Sequence, residues 1–459
     1  MNISFKYANR SNTSVLLKFD GIIDNQTLCL LVDAGEGTDV DSLINEDENE
    51  FLAGILLTHL HLDHYISLDE NLRDNTRIYT SKENEKILNT VLSEANSNRT
   101  NSFNTHQIQS SVTPITDSIT IGDALTITPV PAGHTPGATG FYIQFGSDGD
   151  TETILITGDF TRRTVAGYSG LPLHETDTLI LTGATADSFQ DSITSALDKA
   201  LEHGVSGSPT LVTASGLNCV HFTYLLGHLL DRTSSPSQVN IVGQAAKLYD
   251  ALGYAVPNVN SIQEYDAGNV VGESYITVSG PDIPNSGGAK LLFDEIRHDP
   301  NAGLIQLVSG DRGDIADSQC TINRYVTVNH PTMETVENTI ELLNPEQAII
   351  THQTGDNLER YRDQLPTAVW APKDNQTYTF YKDGEWTPPH WINKETLRKY
   401  NSSTQPIKLP AVAPDTDSFR RMGVDLGGEG VLLNNVMMVS DTNSSDYKYS
   451  TASTPNPGV

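Results

Sequence analysis

Three histidines and an aspartate crowd into the run Thr58-His59-Leu60-His61-Leu62-Asp63-His64. Imidazole and carboxylate are the ligands taken by zinc and similar borderline metals. His59, His61, Asp63 and His64 follow an apolar run at residues 51–57, and a strand end lets a rigid sheet aim several side chains at one point. So many donors in a tight loop exceed what one tetrahedral ion takes, which predicts two ions sharing the cluster. Further candidates lie along the chain: Asp33 in Leu31-Val32-Asp33-Ala34-Gly35, His134 in Ala132-Gly133-His134-Thr135-Pro136, Asp159 in Thr157-Gly158-Asp159-Phe160, and His352 in Ile350-Thr351-His352. Taken singly, a His in a Gly/Pro loop is usually a polar loop residue and a Gly-Asp is usually a turn. In order, each behind a strand-like run, they form a pattern.

The elements that must carry these residues can be read from periodicity. Residues 14–19, 27–32 and 54–58 are short, leucine-rich or β-branched and bounded by Gly, Asp or Asn, as strands are; 123–145 and 153–157 continue that style. Beyond Asp187 the texture alternates. A helical stripe at 192–203 is followed by strands at 210–213, 238–242, 275–279 and 304–308, with helices near 222–230, 244–252 and 289–297 between them. Such alternation predicts a parallel α/β unit. Strands at 325–328 and 348–351 flank a helix at 331–343, and pairing of those two strands would bring His330 beside His352. From about Asp374 the chain turns polar, and the stretch from Asp446 reads as disordered.

The HxHxDH run and its companions resemble the signature of metallo-β-lactamase-fold hydrolases. The resemblance implies an α/β fold, an αββα sandwich. It gives one ion to His59, His61 and His134 and the second to Asp63, His64 and His352. Asp159 would bridge them, and Asp33 would orient ligands through hydrogen bonds. Two divalent ions, zinc by preference and manganese as the alternative, would share a hydroxide whose parent water has its pKa lowered to near neutrality, ~7 for zinc.

The long interval between Asp159 and His352 resembles the β-CASP insertion of RNA-processing nucleases such as RNase J. The division implied is 1–186 and 321–373 for the two parts of the metallo-β-lactamase domain, 187–320 for an inserted parallel α/β β-CASP domain, and 374–459 for a polar extension. His330, in Val328-Asn329-His330-Pro331, resembles that family's motif B histidine, which would stabilise a phosphate or protonate a leaving oxygen. Asp63 and Asp33 complete the expected catalytic set. Arg162 and Arg163, after the Gly-Asp turn, and Ser286, Gly287 and Gly288, whose amides could meet a phosphate, are the substrate-binding candidates. One feature departs from the family: Thr182-Gly183-Ala184 stands where it carries an acid that pairs with the motif B histidine, so His330 is expected to be less constrained.

The reading that follows is a two-metal ribonuclease acting on single-stranded RNA, endo- or 5′-exonucleolytic, with a homodimer implied only by the resemblance. The alternatives are an impaired paralogue acting as a scaffold, favoured by the missing acid, and a hydrolase of small esters or thioesters. Bulk composition sets the surroundings. No apolar run reaches the ~18–20 residues of a membrane span, and residues 1–15 lack a basic-then-apolar leader, which predicts a cytoplasmic protein without a membrane partner. Three scattered cysteines, an odd count, argue against a disulfide framework. Acids number 58 against 28 bases, a net charge of −30 spread along the chain. Such a surface fits a halophilic setting, where salt screens self-repulsion and RNA binding must rest on close contacts.

Overall fold

The computed structural model describes residues 1–389, except 24, 74, 98–102, 123–124, 148–149, 273–274, 311–314, 316 and 365–367, and the strands Gly430–Leu433, Val436–Ser440 and Tyr447–Thr451. Two sheets stack face to face. One has eight strands, ordered Glu385–Trp386, Tyr378–Lys382, Asn2–Tyr7, Val15–Ile23, Gln26–Val32, Glu50–Leu56, Ile78–Ser81 and Val112–Ile115. The other has seven, ordered Ala368–Trp370, Gln347–Thr351, Thr178–Thr182, Asp150–Ile156, Thr139–Ser147, Leu125–Pro131 and Ile119–Ile121.

The two-residue period of a strand sorts the side chains between layers. In Gln26–Val32, Leu28, Leu30 and Val32 enter the core between the sheets, while Cys29 and Leu31 face the opposite way, into the core shared with helix Lys82–Ser97. In the second sheet Ile180 and Ile349 point inward. Leu179, Leu181, Ala348 and Ile350 meet Val336 and Ile340 of helix Met333–Leu343 on the outer side. The result is helix, sheet, sheet, helix.

Strand direction decides where the site can be. Gln26–Val32 runs parallel to Glu50–Leu56. Asp150–Ile156, Thr178–Thr182 and Gln347–Thr351 run parallel to one another, and Leu125–Pro131 shares their sense through two antiparallel steps. The loops leaving all these strands therefore emerge along the same edges of the sandwich. Those loops carry Asp33, His59–His64, His134, Asp159 and His352.

Strands Thr178–Thr182 and Gln347–Thr351 are neighbours, yet a second unit is threaded between them. It is a parallel sheet ordered Val259–Ile262, Gln238–Val242, Tyr275–Ser279, Thr210–Thr213, Gly303–Val308 and Thr321–Val326. Its helices include Phe189–Ser206, Gly216–Thr233, Gln244–Ala251 and Gly287–Ile296. Helix Gln244–Ala251 packs on helix Lys82–Ser97, so the apolar core runs on from the sandwich into the insertion.

One expectation is corrected. Thr321–Val326 pairs with Gly303–Val308 as the outer strand of the six-stranded sheet, not with Gln347–Thr351. Its mixed Ile-Asn-Arg-Tyr pattern suits an edge, whereas the positions beside Gln347–Thr351 are filled by two other apolar strands. The tail expected to be disordered from Asp446 includes the strand Tyr447–Thr451; residues 441–446 and 452–459 lie outside the described residues. Cys29, Cys219 and Cys320 are free and buried. Among the described residues no helix is long and apolar enough to cross a membrane.

Candidate metal centre

Asp33 leaves its strand in the left-handed region, φ 56°, with its amide bonded to the Leu56 carbonyl at 2.9 Å. This turns the carboxylate back under the neighbouring loop. Oδ1 accepts from the Thr58 amide at 2.8 Å, and Oδ2 accepts from the Thr58 hydroxyl at 2.8 Å and from His64 Nδ1 at 2.8 Å. Having given its only hydrogen to Asp33, the Thr58 hydroxyl accepts from His59 Nδ1 at 2.9 Å. One buried carboxylate thus holds two imidazoles with hydrogen on Nδ1. Their Nε2 atoms are buried without a hydrogen-bond partner. Two such nitrogens would be costly left empty-handed, and they are suitable donors to a cation.

The second sheet closes over this cluster. Gly158 has φ +56°, and a Cβ there would stand 2.7 Å from Thr58 Cβ, so only glycine lets the Gly-Asp loop approach. Asp159 follows, 2% exposed, at the centre of the cluster. Its Oδ2 lies 3.9 Å from His59 Nε2, 3.4 Å from His64 Nε2, 3.8 Å from His134 Nε2 and 3.4 Å from His330 Nε2. His352 Nδ1 approaches its Oδ1 at 2.9 Å, while His352 Nε2 lies 3.3 Å from Asp63. His352 is itself left-handed, φ 50°, and its amide bonds the Asn12 carbonyl at 2.7 Å. His134 donates from Nδ1 to the Asn329 carbonyl at 2.7 Å, which leaves Nε2 to meet His61 Nδ1 at 2.9 Å.

The charge states divide the cluster. Burial, reinforced by neighbouring imidazoles, holds His59 and His134 well below the ordinary histidine value, and burial brings His61 down to about 4. Burial also pulls on His64 and His352, but carboxylates outweigh it there. Asp159 and Asp33 raise His64, and Asp159 with Asp63 brings His352 to about 9. Burial pushes Asp63 and Asp159 up, and the surrounding imidazoles more than reverse this.

Among the described residues, four overlapping groups of donors have their ligand atoms within 4.8 Å of one another: His59, His61 and His134; His59, His64 and Asp159; Asp63, His64 and His352; His134, Asp159 and His330. The first and third are the two sets expected from sequence. Unpartnered buried nitrogens facing central carboxylates fit divalent ions well.

His330 joins the cluster although its expected strand pairing is absent. Its Nδ1 lies 3.2 Å from the Ala184 carbonyl, so a backbone oxygen orients the ring where an acid was missing. Arg162 is exposed, whereas Arg163 is partly buried and bonds Asn329 Oδ1 at 3.0 Å. Ser286, Gly287 and Gly288 open the helix Gly287–Ile296 in the six-stranded unit. Among the described residues no hydrogen bond joins them to the His/Asp cluster. Sequence reasoning missed Thr58, Asn329 and the Ala184 carbonyl. Thr58 and Asn329 sat inside quoted motifs, but a backbone carbonyl has no residue-type signal.

Residues 30–204 match a family model described as a beta-lactamase superfamily domain. Among solved structures the chain is similar to a protein of unknown function from Enterococcus faecalis V583, with TM-score 0.56 and 15% identity over 83% of this chain and 100% of that one, a likeness of fold alone. No curated protein matches the chain. The matched segment contains Asp33, the His59–His64 run, His134 and Asp159, and the chain therefore carries a beta-lactamase superfamily domain whose His and Asp side chains can hold divalent metal, the features of a metallo-hydrolase.

Proposed function

We propose that the protein is a two-metal ribonuclease that hydrolyses phosphodiester bonds of single-stranded RNA, with the inserted six-stranded unit as a β-CASP domain. The observation that carries this reading is His330. It arrives on the segment returning from the insertion and is oriented by Ala184, with Nε2 3.4 Å from Asp159. A hydrolase of small esters needs neither the insertion nor a sixth imidazole at the cluster.

In this reading His59, His61 and His134 would hold one divalent ion and Asp63, His64 and His352 the other, and the buried Asp159 carboxylate would serve both sets. When bound, the ions supply a nucleophile at neutral pH and stabilise charge on the transferred phosphoryl group. The chain's own residues do the rest. Asp33 fixes the Nδ1–H tautomers of His64 directly and of His59 through Thr58. His330 lies outside both proposed ligand sets, where its Nε2 would stabilise a phosphate oxygen or serve the leaving 3′ oxygen as general acid, work worth typically 10²–10⁴-fold in rate. Arg162, three residues after Asp159 in sequence, is exposed and would be available to a phosphate. The net charge of −30 accords with a halophilic setting, where the Debye length at ~1 M salt is about 3 Å and long-range repulsion of RNA is screened.

The test is single-turnover cleavage of 5′-labelled single-stranded RNA and DNA at high salt by zinc- or manganese-loaded protein, beside His330→Ala. Wild type should cut RNA, and His330→Ala should keep both ions and lose most cleavage in kcat. A variant that loses an ion would make His330 a ligand. Thioester hydrolysis without RNA cleavage would place the chain with small-ester hydrolases, and a site that stays empty on loading would make it a scaffold.

A further inference from the structure

A row of contacts runs from the inserted helices to a histidine of the metal centre. Phe189 opens the helix Phe189–Ser206 and stacks on His221 of helix Gly216–Thr233, with centroids 6.1 Å apart and planes at 16°. The Arg163 guanidinium lies over the other partner in this stack, 4.8 Å from the Phe189 centroid. Its Nη2 donates to Asn329 Oδ1 at 3.0 Å. Asn329 then grips His134 twice: its carbonyl accepts from His134 Nδ1 at 2.7 Å, and its Nδ2 donates to the His134 carbonyl. From the other side the Thr161 hydroxyl, two residues before Arg163, donates to the Gly133 carbonyl at 2.8 Å.

We propose that Arg163 is a positioning residue that holds His134 through Asn329 and so couples docking of the inserted helices to occupancy of the ion set His59, His61 and His134. The chain has 58 acids to 28 bases, yet among the described residues no carboxylate pairs with Arg163. Its partners are an amide oxygen and an aromatic face, which fix geometry and leave charge aside. The Asn329 amide transmits in one direction, with its oxygen taken by Arg163 and its nitrogen spent on His134. The carbonyl of the same residue fixes which ring nitrogen of His134 is bare. Groups that orient a ligand's second nitrogen typically govern metal affinity by 10–100-fold. Because the clamp spans both units, tightening at either end favours the other by the same factor.

The inference rests on the metal-site reading and is independent of the nuclease reading. The experiment titrates full-length metal-free protein with zinc against a competing chelator, for wild type, Arg163→Ala and Arg163→Lys, and records the imidazole nitrogen signals of the loaded proteins. Because Arg163 reaches His134 only through Asn329, Arg163→Ala should weaken one of the two ions by roughly tenfold, the low end of the ~10–100-fold range of a direct orienting partner, and leave the other unchanged. The His134 signals alone should shift. Arg163→Lys, whose Nζ can still reach Asn329 Oδ1, should recover most of the affinity.

Wild-type binding of both ions by Arg163→Ala, with His134 signals unchanged, would overturn the proposal. So would equal weakening of both ions with a lowered thermal midpoint, the mark of a merely structural contact. A rise in KM for RNA at unchanged metal affinity would overturn it in favour of a phosphate contact. Wild type that takes up no zinc removes the metal-site reading and this inference with it. Wild type that binds two ions and cleaves no RNA removes only the nuclease reading.

Discussion

Asp33→Asn separates electrostatics from shape at the metal centre. Asparagine has the volume of aspartate and tolerates the left-handed conformation at φ 56°, so the backbone should stand. The Thr58 amide can still donate to the remaining oxygen. The new amide nitrogen, however, faces His64 Nδ1 and the Thr58 hydroxyl, both of which donate to Asp33 Oδ2 at 2.8 Å. To satisfy it, His64 must become an acceptor at Nδ1, which moves its hydrogen to Nε2, the atom needed by an ion. Loss of an orienting partner typically costs 10–100-fold in metal affinity, or about 1.4–2.8 kcal/mol at tenfold per 1.4 kcal/mol. His64 is contacted directly and should carry that full loss in the set Asp63, His64 and His352. His59 is reached only through Thr58, and its set should lose less. Thr58→Val, which cuts the second branch alone, should weaken the His59 set and spare the other. Chelator-competition titration of both variants measures this. Unchanged affinities in Asp33→Asn, or a larger loss in the His59 set than in the His64 set, would refute the tautomer argument.

Three further outcomes are expected. Asp63→Ala should abolish phosphodiester cleavage with a modest change in thermal midpoint in high salt, because its side chain is about half exposed; wild-type turnover would remove it from the site. Gly158→Ala should destabilise by roughly 2–5 kcal/mol, from ~1–2 for the left-handed backbone and ~1–3 for the clash with Thr58, as read from denaturant midpoints. At pH 7 zinc entering the His59, His61 and His134 set should release almost no protons, since burial holds these imidazoles low and His61 near 4, whereas the ion entering the His64 and His352 set should release between one and two, as calorimetry in two buffers would show. His352 is raised to about 9, so its contribution to the stability of the metal-free fold is present below the ordinary histidine value and is lost as pH rises through about 9.

Strands Thr210–Thr213, Gln238–Val242 and Tyr275–Ser279 could be bounded from sequence, because each is a short run rich in β-branched and apolar residues set between turn and helix signals. Asn2–Tyr7 alternates Ile3, Phe5 and Tyr7 with polar residues over too short a stretch to mark a strand by itself, and the polar composition of helix Lys82–Ser97 masks its apolar stripe. Strand partners were not legible. Thr321–Val326 reads as a strand, but only packing of the whole insertion decides that it lies beside Gly303–Val308. At the centre, side chains with ligand chemistry stood out by type and spacing. The groups that orient them, the Asn329 and Ala184 carbonyls and the Thr58 hydroxyl, did not, because any residue offers a carbonyl and threonine is common in turns.

The threading of the insertion between two neighbouring strands gives the site a history during synthesis. His59, His61 and His134 all precede the insertion, and His352 follows it. Roughly 200 residues separate His134 from His352, and at about 5–20 residues per second the ribosome needs on the order of ten to forty seconds to supply them. Throughout that interval the nascent chain holds one ligand trio in full and the other short of its last imidazole. The strand that leads to His352 must then slide in beside Thr178–Thr182, so in the proposed two-ion reading capture of the second ion would double as a checkpoint that the intervening unit has folded.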